Sequence, residues 1–199
     1  VLSANTTGTQ NTGVGNAALA VNTGSASTAI GNRALAANTT GANGTAVGFE
    51  ALARNTTASN NTGIGFQALA FNTTGGANTA VGFQSSSSNT TGASNTSLGF
   101  QAQQMNTTGS QNVAVGERSL GRNSGSGNTV IGWEAMFGAT SSANNSTAIG
   151  WHALFGNSAS NNTAIGYNAL QGNTSAAGNT AVGSNSLNNS TGANNTALG

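Results

Sequence analysis

An aliphatic residue followed by glycine recurs twelve times along the 199-residue chain, at intervals of 16 to 18 residues. The surrounding consensus is Asn-Thr-Ala-aliphatic-Gly-aromatic-Gln-Ala-Leu-x-x-Asn-Thr-Thr-Gly-x-x. A period of this length suits one coil of a solenoid and is too short for the common helical repeats, which need about 33 residues or more. We call the recurring positions before glycine the aliphatic column: Val14, Ile30, Val47, Ile64, Val81, Leu98, Val115, Ile131, Ile149, Ile165, Val182 and Leu198.

Local chemistry predicts strands and turns. The Asn-Thr-Ala-aliphatic segment alternates polar and apolar residues and ends in a branched side chain, which is typical of a short strand. Each repeat then carries Asn-Thr-Thr-Gly or a variant such as Asn123-Ser124-Gly125, which has the composition of a turn. Frequent Gly, Asn, Thr and Ser disfavour helix. The sequence therefore predicts an all-β fold, a parallel β-solenoid or β-roll of about twelve coils of 16–18 residues.

The pattern predicts that residues 1–199 form a single repeat array. The pattern begins and stops within a coil without a capping segment, and solenoids need caps, so we expect a fragment of a longer fibre. A polar composition is also typical of disordered chains, but low-complexity disorder rarely keeps a strict register of this kind.

A second apolar column lies five residues after the first, with Ser86 and Gln103 interrupting it in coils five and six. Because the offset is odd, one straight strand cannot point both columns inward, so we expect a bend at the glycine. The predicted core is thin, with the two columns packed from two sides and alanine between them. Two large side chains per coil contribute roughly 1.5–3 kcal/mol each, so further burial through self-association is expected. This leucine column comprises Leu19, Leu35, Leu52, Leu69, Leu120, Met136, Leu154, Leu170 and Leu187.

Composition narrows the function classes. Charged residues make up 4% of the chain, against roughly 25% in typical soluble domains. We therefore expect no nucleic-acid partner, because no basic patch can form. No run of about 18 apolar residues exists, so no membrane insertion is expected.

Catalysis is not expected, and no cofactor or metal is predicted. The chain contains no Asp, Cys or Lys and a single histidine, His152, so neither a Ser-His-Asp triad nor a Cys-His pair can be built. His152 occupies a variable column, so we expect it to be solvated. Glu50, Glu117 and Glu134 lie in separate coils and do not predict a paired-carboxylate site.

Three surface columns are candidate binding sites. The aromatic column predicts either a seam that seals a corner or a chain contact, or a strip that binds glycans or cells. The threonine column predicts either an ice-binding face or internal hydrogen-bonded ladders. Dense Asn-x-Ser/Thr sequons, among them Asn5, Asn38, Asn55, Asn72, Asn89 and Asn106, raise the hypothesis of a regular glycan coat.

The aromatic column comprises Phe49, Phe66, Phe83, Phe100, Trp133, Trp151 and Tyr167. The threonine column lies two residues before the aliphatic column, and its candidate ice-binding members are Thr28, Thr45, Thr62, Thr79, Thr96, Thr129, Thr147, Thr163 and Thr180.

The phrase Asn162-Thr163-Ala164-Ile165-Gly166 resembles the head repeats of trimeric autotransporter adhesins, which centre on Ser-Val-Ala-Ile-Gly. That resemblance implies a left-handed parallel β-roll, a homotrimer, and an extracellular fibre on a bacterial surface that binds a host-surface or glycan receptor. Asn78 to Gln84, followed by Asn-Thr-Thr-Gly, is similar to repeats of phage tail fibres and large bacterial surface proteins. The period here is longer than in the adhesin heads, and Thr replaces Val before Ala-Ile-Gly.

Overall fold

The computed structural model describes residues 1–138 and 142–199, which form a parallel β-solenoid. Every strand has three residues and pairs in parallel with its neighbours in sequence order, giving one twelve-stranded sheet. We number each coil by its strand: β1 Thr12–Val14, β2 Thr28–Ile30, β3 Thr45–Val47, β4 Thr62–Ile64, β5 Thr79–Val81, β6 Thr96–Leu98, β7 Val113–Val115, β8 Thr129–Ile131, β9 Thr147–Ile149, β10 Thr163–Ile165, β11 Thr180–Val182 and β12 Thr196–Leu198. The all-β solenoid predicted from the repeat is confirmed.

The strands stack with equivalent residues in register. Between β9 and β10, for example, threonine, alanine and isoleucine each align with the same residue type. Adjacent parallel strands lie about 4.8 Å apart, so each column of the repeat becomes a ladder along the solenoid axis.

The aliphatic column is not part of the core. Only the middle residue of each strand points inward: Ala29 is fully buried, whereas its neighbour Ile30 is 42% exposed. Thr and the aliphatic residue share the outer side because successive side chains of a strand point to opposite faces. The prediction that the following residues form a core ladder was therefore wrong, since all are exposed or half-exposed: Val14, Ile30, Val47, Ile64, Val81, Leu98, Val115, Ile131, Ile149, Ile165, Val182 and Leu198.

The leucine column supplies the large side chains of the core. Leu19, Leu35, Leu52, Leu69, Leu120, Met136, Leu154 and Leu170 are buried, and Leu187 is partly buried against them. They pack against the strand alanines, since the narrow coil leaves room for a large side chain from one wall only.

A run of turns carries each leucine. In coil 2 the strand ends at Ile30 and Gly31 follows it, and the amides of Ala34 and Ala36 then donate to the carbonyls of Gly31 and Arg33, both at 3.3 Å. Arg33 and Leu35 have φ values of 58° and 49°, so they adopt the left-handed conformation. Hydrogen bonds to adjacent coils hold this segment, such as Leu35 N to Ala51 O at 3.0 Å.

Two asparagine ladders fill the remaining interior. The turn asparagines of the Asn-Thr-Thr-Gly segments form one ladder: Asn72 Nδ2 donates to Asn55 Oδ1 at 2.9 Å and to Gly75 O at 2.9 Å. The asparagines three residues before the aliphatic column form the other: Asn78 Oδ1 accepts from the backbone amide of Asn95 at 2.9 Å. Because the coil is narrow, amide hydrogen bonds replace much of an ordinary apolar core.

The interior is interrupted at coils 5 and 6, where Ser86 and Gln103 replace leucine. The apolar residues form two clusters, one ending at Ala80 and the other beginning at Ala102. Within the described residues, Gln103 Oε1 and Asn89 Oδ1 are buried without a hydrogen-bond partner. The loss of two leucines predicts that coils 5 and 6 are the weakest stretch of the array, and these unpaired acceptors favour that prediction.

Candidate functional site

The outer face of the sheet consists of the threonine and aliphatic columns. Both project away from the core, so the face alternates hydroxyl and hydrocarbon at the strand spacing. None of the threonine-column hydroxyls hydrogen-bonds to another group in the part of the chain that the structure describes. In contrast, the turn threonines do: Thr39 Oγ1 donates to Thr56 O at 3.0 Å, and Thr56 Oγ1 donates to Thr73 O at 3.0 Å. The sequence did not distinguish these two sets.

The aromatic column lies beside the outer face, on the other side of the corner glycine. Its rings stack in two groups separated by Glu117. Phe49, Phe66, Phe83 and Phe100 have successive centroid distances of 5.3, 5.0 and 5.2 Å. Trp133, Trp151 and Tyr167 follow at 5.3 and 4.8 Å. All seven rings remain exposed on one edge, so the stacking uses the faces of the rings and leaves an apolar strip on the chain surface.

A polar ladder follows the aromatic column, one residue further along each coil. Its side chains are hydrogen-bonded or ion-paired from coil to coil, with links of 2.8 to 3.4 Å through Arg33, Glu50, Gln67, Gln84, Gln101, Arg118, Glu134 and His152. Ion pairs this close to the surface contribute at most about 1 kcal/mol each. Together they cross-link eight consecutive coils along one edge.

His152 belongs to this ladder and is not the solvated residue that its variable column suggested. Its side chain is 14% exposed, and Nε2 lies 3.1 Å from Glu134 Oε2. The imidazole also stacks on the Trp151 ring, with centroids 3.6 Å apart. Glu134 lies in the coil before His152, and Gln171, whose Nε2 is 3.3 Å from His152 Nδ1, lies in the coil after. The sequence of the column alone could not show these contacts between coils.

A groove runs along the polar ladder. Its floor is formed by the small residues that follow the leucine column, such as Ala53, Ala70 and Gly121. Its outer wall is the next column, which includes Arg54 and Arg122. The groove contains two cavities, one of about 460 Å³ over coils 1–4 and one of about 330 Å³ over coils 6–8.

The sequon asparagines are interior residues. Asn38, Asn55, Asn72, Asn89 and Asn106 are buried, and each side-chain amide donates to the carbonyl three residues ahead at 2.8–2.9 Å. A glycan on these nitrogens would require the coil to open, so the hypothesis of a regular glycan coat at these five positions was wrong.

Comparisons with known proteins identify no relative: no family profile, curated protein or solved structure matches the chain. The described residues contain no helix long and apolar enough to cross a bilayer. Nor do they bring three or more His, Cys, Asp or Glu side chains together as a metal site. The fold defines the chain as a β-solenoid repeat protein, and its candidate sites are the outer face, the aromatic column and the groove.

Proposed function

We propose that the chain is a non-catalytic segment of an extracellular fibre, on a bacterial surface or a virion appendage, that self-associates laterally and displays a repeated surface. The observation that carries this proposal is the apolar strip formed by the unbroken aliphatic column and the two groups of stacked rings beside it. Soluble monomers rarely expose a contiguous apolar patch of more than a few hundred Å². The resemblance of Asn162 to Gly166 to adhesin head repeats is consistent with a fibre.

The outer face and the aromatic column together are large enough for a stable contact. Twelve strands about 4.8 Å apart span about 53 Å, and the aromatic column lies four residues, or about 13 Å, after the threonine column, so the two surfaces together cover about 700 Å². A standard protein interface buries about 800 Å² per partner. The partner that best fits is a second copy of this chain, because only the same repeat presents side chains at the same spacing.

The corner between the two surfaces favours a homotrimer as the form of this self-association. The outer face and the aromatic column differ in chemistry and meet at the glycine that follows each strand. Contact of one chain's outer face with the next chain's aromatic column is heterologous, and such contacts form a ring when the rotation between chains closes. Three chains around an axis would bury both surfaces and supply the burial that the thin core lacks.

Light scattering on the size-fractionated chain tests this proposal. We expect a mass of three times 19.2 kDa, and expect the double variant Ile131→Lys/Ile165→Lys to be monomeric because it places charges in the apolar contact. Val21→Lys, which changes an exposed apolar residue outside the strip, is the matched control and should remain a trimer. A monomeric parent at micromolar concentration would contradict self-association, and a dimer would contradict the ring.

Ice binding is the second candidate function, and the unbonded hydroxyls of the threonine column favour it. A regular array of outward hydroxyl and methyl groups can order a layer of water. This function needs the outer face to be open, so it excludes a trimer that buries the face. We expect thermal hysteresis from a monomeric parent and its loss in Thr79→Lys/Thr96→Lys, with Val21→Lys unchanged. A parent that shows no hysteresis removes this candidate.

A further inference from the structure

The four arginines of the chain gather in one groove. Arg33 and Arg54 line the cavity over coils 1–4, and Arg118 and Arg122 line the cavity over coils 6–8. These are all the arginines of a chain that has no lysine. The two cavities therefore hold every permanent positive side-chain charge of the molecule.

Each cavity contains one paired and one unpaired guanidinium. Arg33 is ion-paired to Glu50 at 2.8 Å, and Arg118 to Glu134 at 3.1 Å. Arg54 and Arg122 are exposed, and within the described residues their guanidinium groups form no ion pair or hydrogen bond. Their guanidinium carbons lie over the rings of Phe71 and Phe137, at 4.4 and 5.4 Å from the ring centroids. An arginine held on a ring in this way keeps its five N–H donors available to a ligand.

The charges favour a singly charged planar anion. When the glutamate that is ion-paired to one of the two arginines is counted, each cavity has a net charge of +1, which balances one carboxylate. A dense sulfate or a phosphate dianion would also be repelled by Glu50, which lines the first cavity, and by Glu134, which is ion-paired to an arginine of the second. The guanidinium fork matches a carboxylate through two parallel hydrogen bonds.

The shape of the groove favours a sugar chain. Alanines form the floor of the first cavity, whereas Gly121 lies beside Gln104 and Phe137 in the second. The wall includes Phe71 and Met105, and the cavity volumes of about 460 and 330 Å³ fall within the range of ligand sites. The two unpaired arginines lie in coils 3 and 7, about 19 Å apart along the axis. A linear chain with recurring carboxylates can therefore reach both cavities at once, which increases its affinity over either cavity alone.

We propose that this groove binds acidic oligosaccharides whose pyranose units carry carboxylates, with Arg54 and Arg122 holding the carboxylates. This inference rests on the proposed function in one respect, because it names the class of ligand that the surface of such a fibre would bind. The groove lies outside the apolar strip, so ligand binding and self-association can be measured separately.

Calorimetric titration at low ionic strength tests the proposal, with oligogalacturonate and oligoalginate as probes. We expect binding to at least one of them and none to the methyl ester of the same oligomer, which keeps the sugar backbone and removes the charge. The double variant Arg54→Gln/Arg122→Gln should bind about tenfold more weakly or worse, because charge-assisted hydrogen bonds are lost. Tyr167→Ser, in the aromatic column, is the matched control and should bind like the parent.

Several results would overturn the inference. These are the absence of binding to both acidic probes, equal binding of the methyl ester, unchanged affinity in the double variant, or binding of dextran sulfate without binding of the carboxylated probes. Unchanged circular dichroism and melting temperature would show that the exposed arginine substitutions leave the fold intact. None of these results bears on the oligomeric mass, so failure of this inference and failure of the fibre proposal remain distinguishable.

Discussion

Asn72→Asp is expected to destabilise the solenoid by about 3–5 kcal/mol at neutral pH, although the two side chains have nearly the same shape. Asn72 is buried in the turn asparagine ladder, where its Nδ2 faces Asn55 Oδ1 and Gly75 O, both at 2.9 Å. An aspartate places an acceptor oxygen against these two acceptors and buries a charge with no counter-ion. Only the bond from Asn89 Nδ2, at 2.8 Å in the parent, would survive.

The penalty should depend on pH in a defined direction. Burial without a counter-ion raises the pKa of the introduced carboxyl above its value of about 3.9 in the unfolded chain. Between the two pKa values the folded state binds the extra proton, so stability falls as pH rises. The loss relative to the parent should therefore be smallest below about pH 4 and reach its full value at neutral pH.

Urea unfolding measures the size of this effect, and hydrogen exchange with mass spectrometry locates it. We expect exchange to increase first in coils 3–5, because a repeat array opens locally. Asn32→Asp, at an exposed position whose side chain has no hydrogen-bond partner in the described residues, is the matched control and should change stability by less than about 0.5 kcal/mol. Equal stability of the two variants would show that the buried amide ladder does not support the fold.

Gly116→Ala is expected to cost about 3 kcal/mol or more. Gly116 follows β7 with a φ of 125°, a conformation that strains a residue with a side chain by about 1–3 kcal/mol. A Cβ there would also lie 2.6 Å from the carbonyl oxygen of Gly132 and 2.8 Å from its carbonyl carbon. Relief requires coils 7 and 8 to separate, which weakens the hydrogen bond from Gly132 N to Val115 O and those around it.

Gly76→Ala is the matched control for this substitution. The nearest atom to its Cβ would be Ser59 O at 3.3 Å, and Ala42 and Ala93 already occupy the equivalent position in other coils. We expect a change of less than about 1 kcal/mol in its free energy of unfolding. Thermal unfolding followed by circular dichroism compares both variants with the parent. If Gly116→Ala and Gly76→Ala have the same melting temperature, close contact between coils does not explain why glycine recurs at this position in every repeat.

Some of the architecture follows from the sequence alone. The spacing of the aliphatic-Gly motif, the strand composition before it and the turn composition after it determine a stack of short parallel strands, because a strict repeat can only place like residues above one another. The burial of Leu52 and its equivalents also follows, since a large apolar residue recurs at this position in nine coils. The interruption at Ser86 and Gln103 could be located from the same column.

The tertiary structure decided which side of the strand is inside. The sequence placed Ile30 in the core because it is large and apolar, but the coil is too narrow for it, so Ala29 points inward and Ile30 faces outward. That reversal creates the apolar strip on which self-association depends. Three-dimensional stacking also brings Arg54 onto the Phe71 ring of the next coil. Such contacts between coils, like the burial of the sequon asparagines, depend on how the chain bends between columns, and the spacing of residues along the chain does not contain that information.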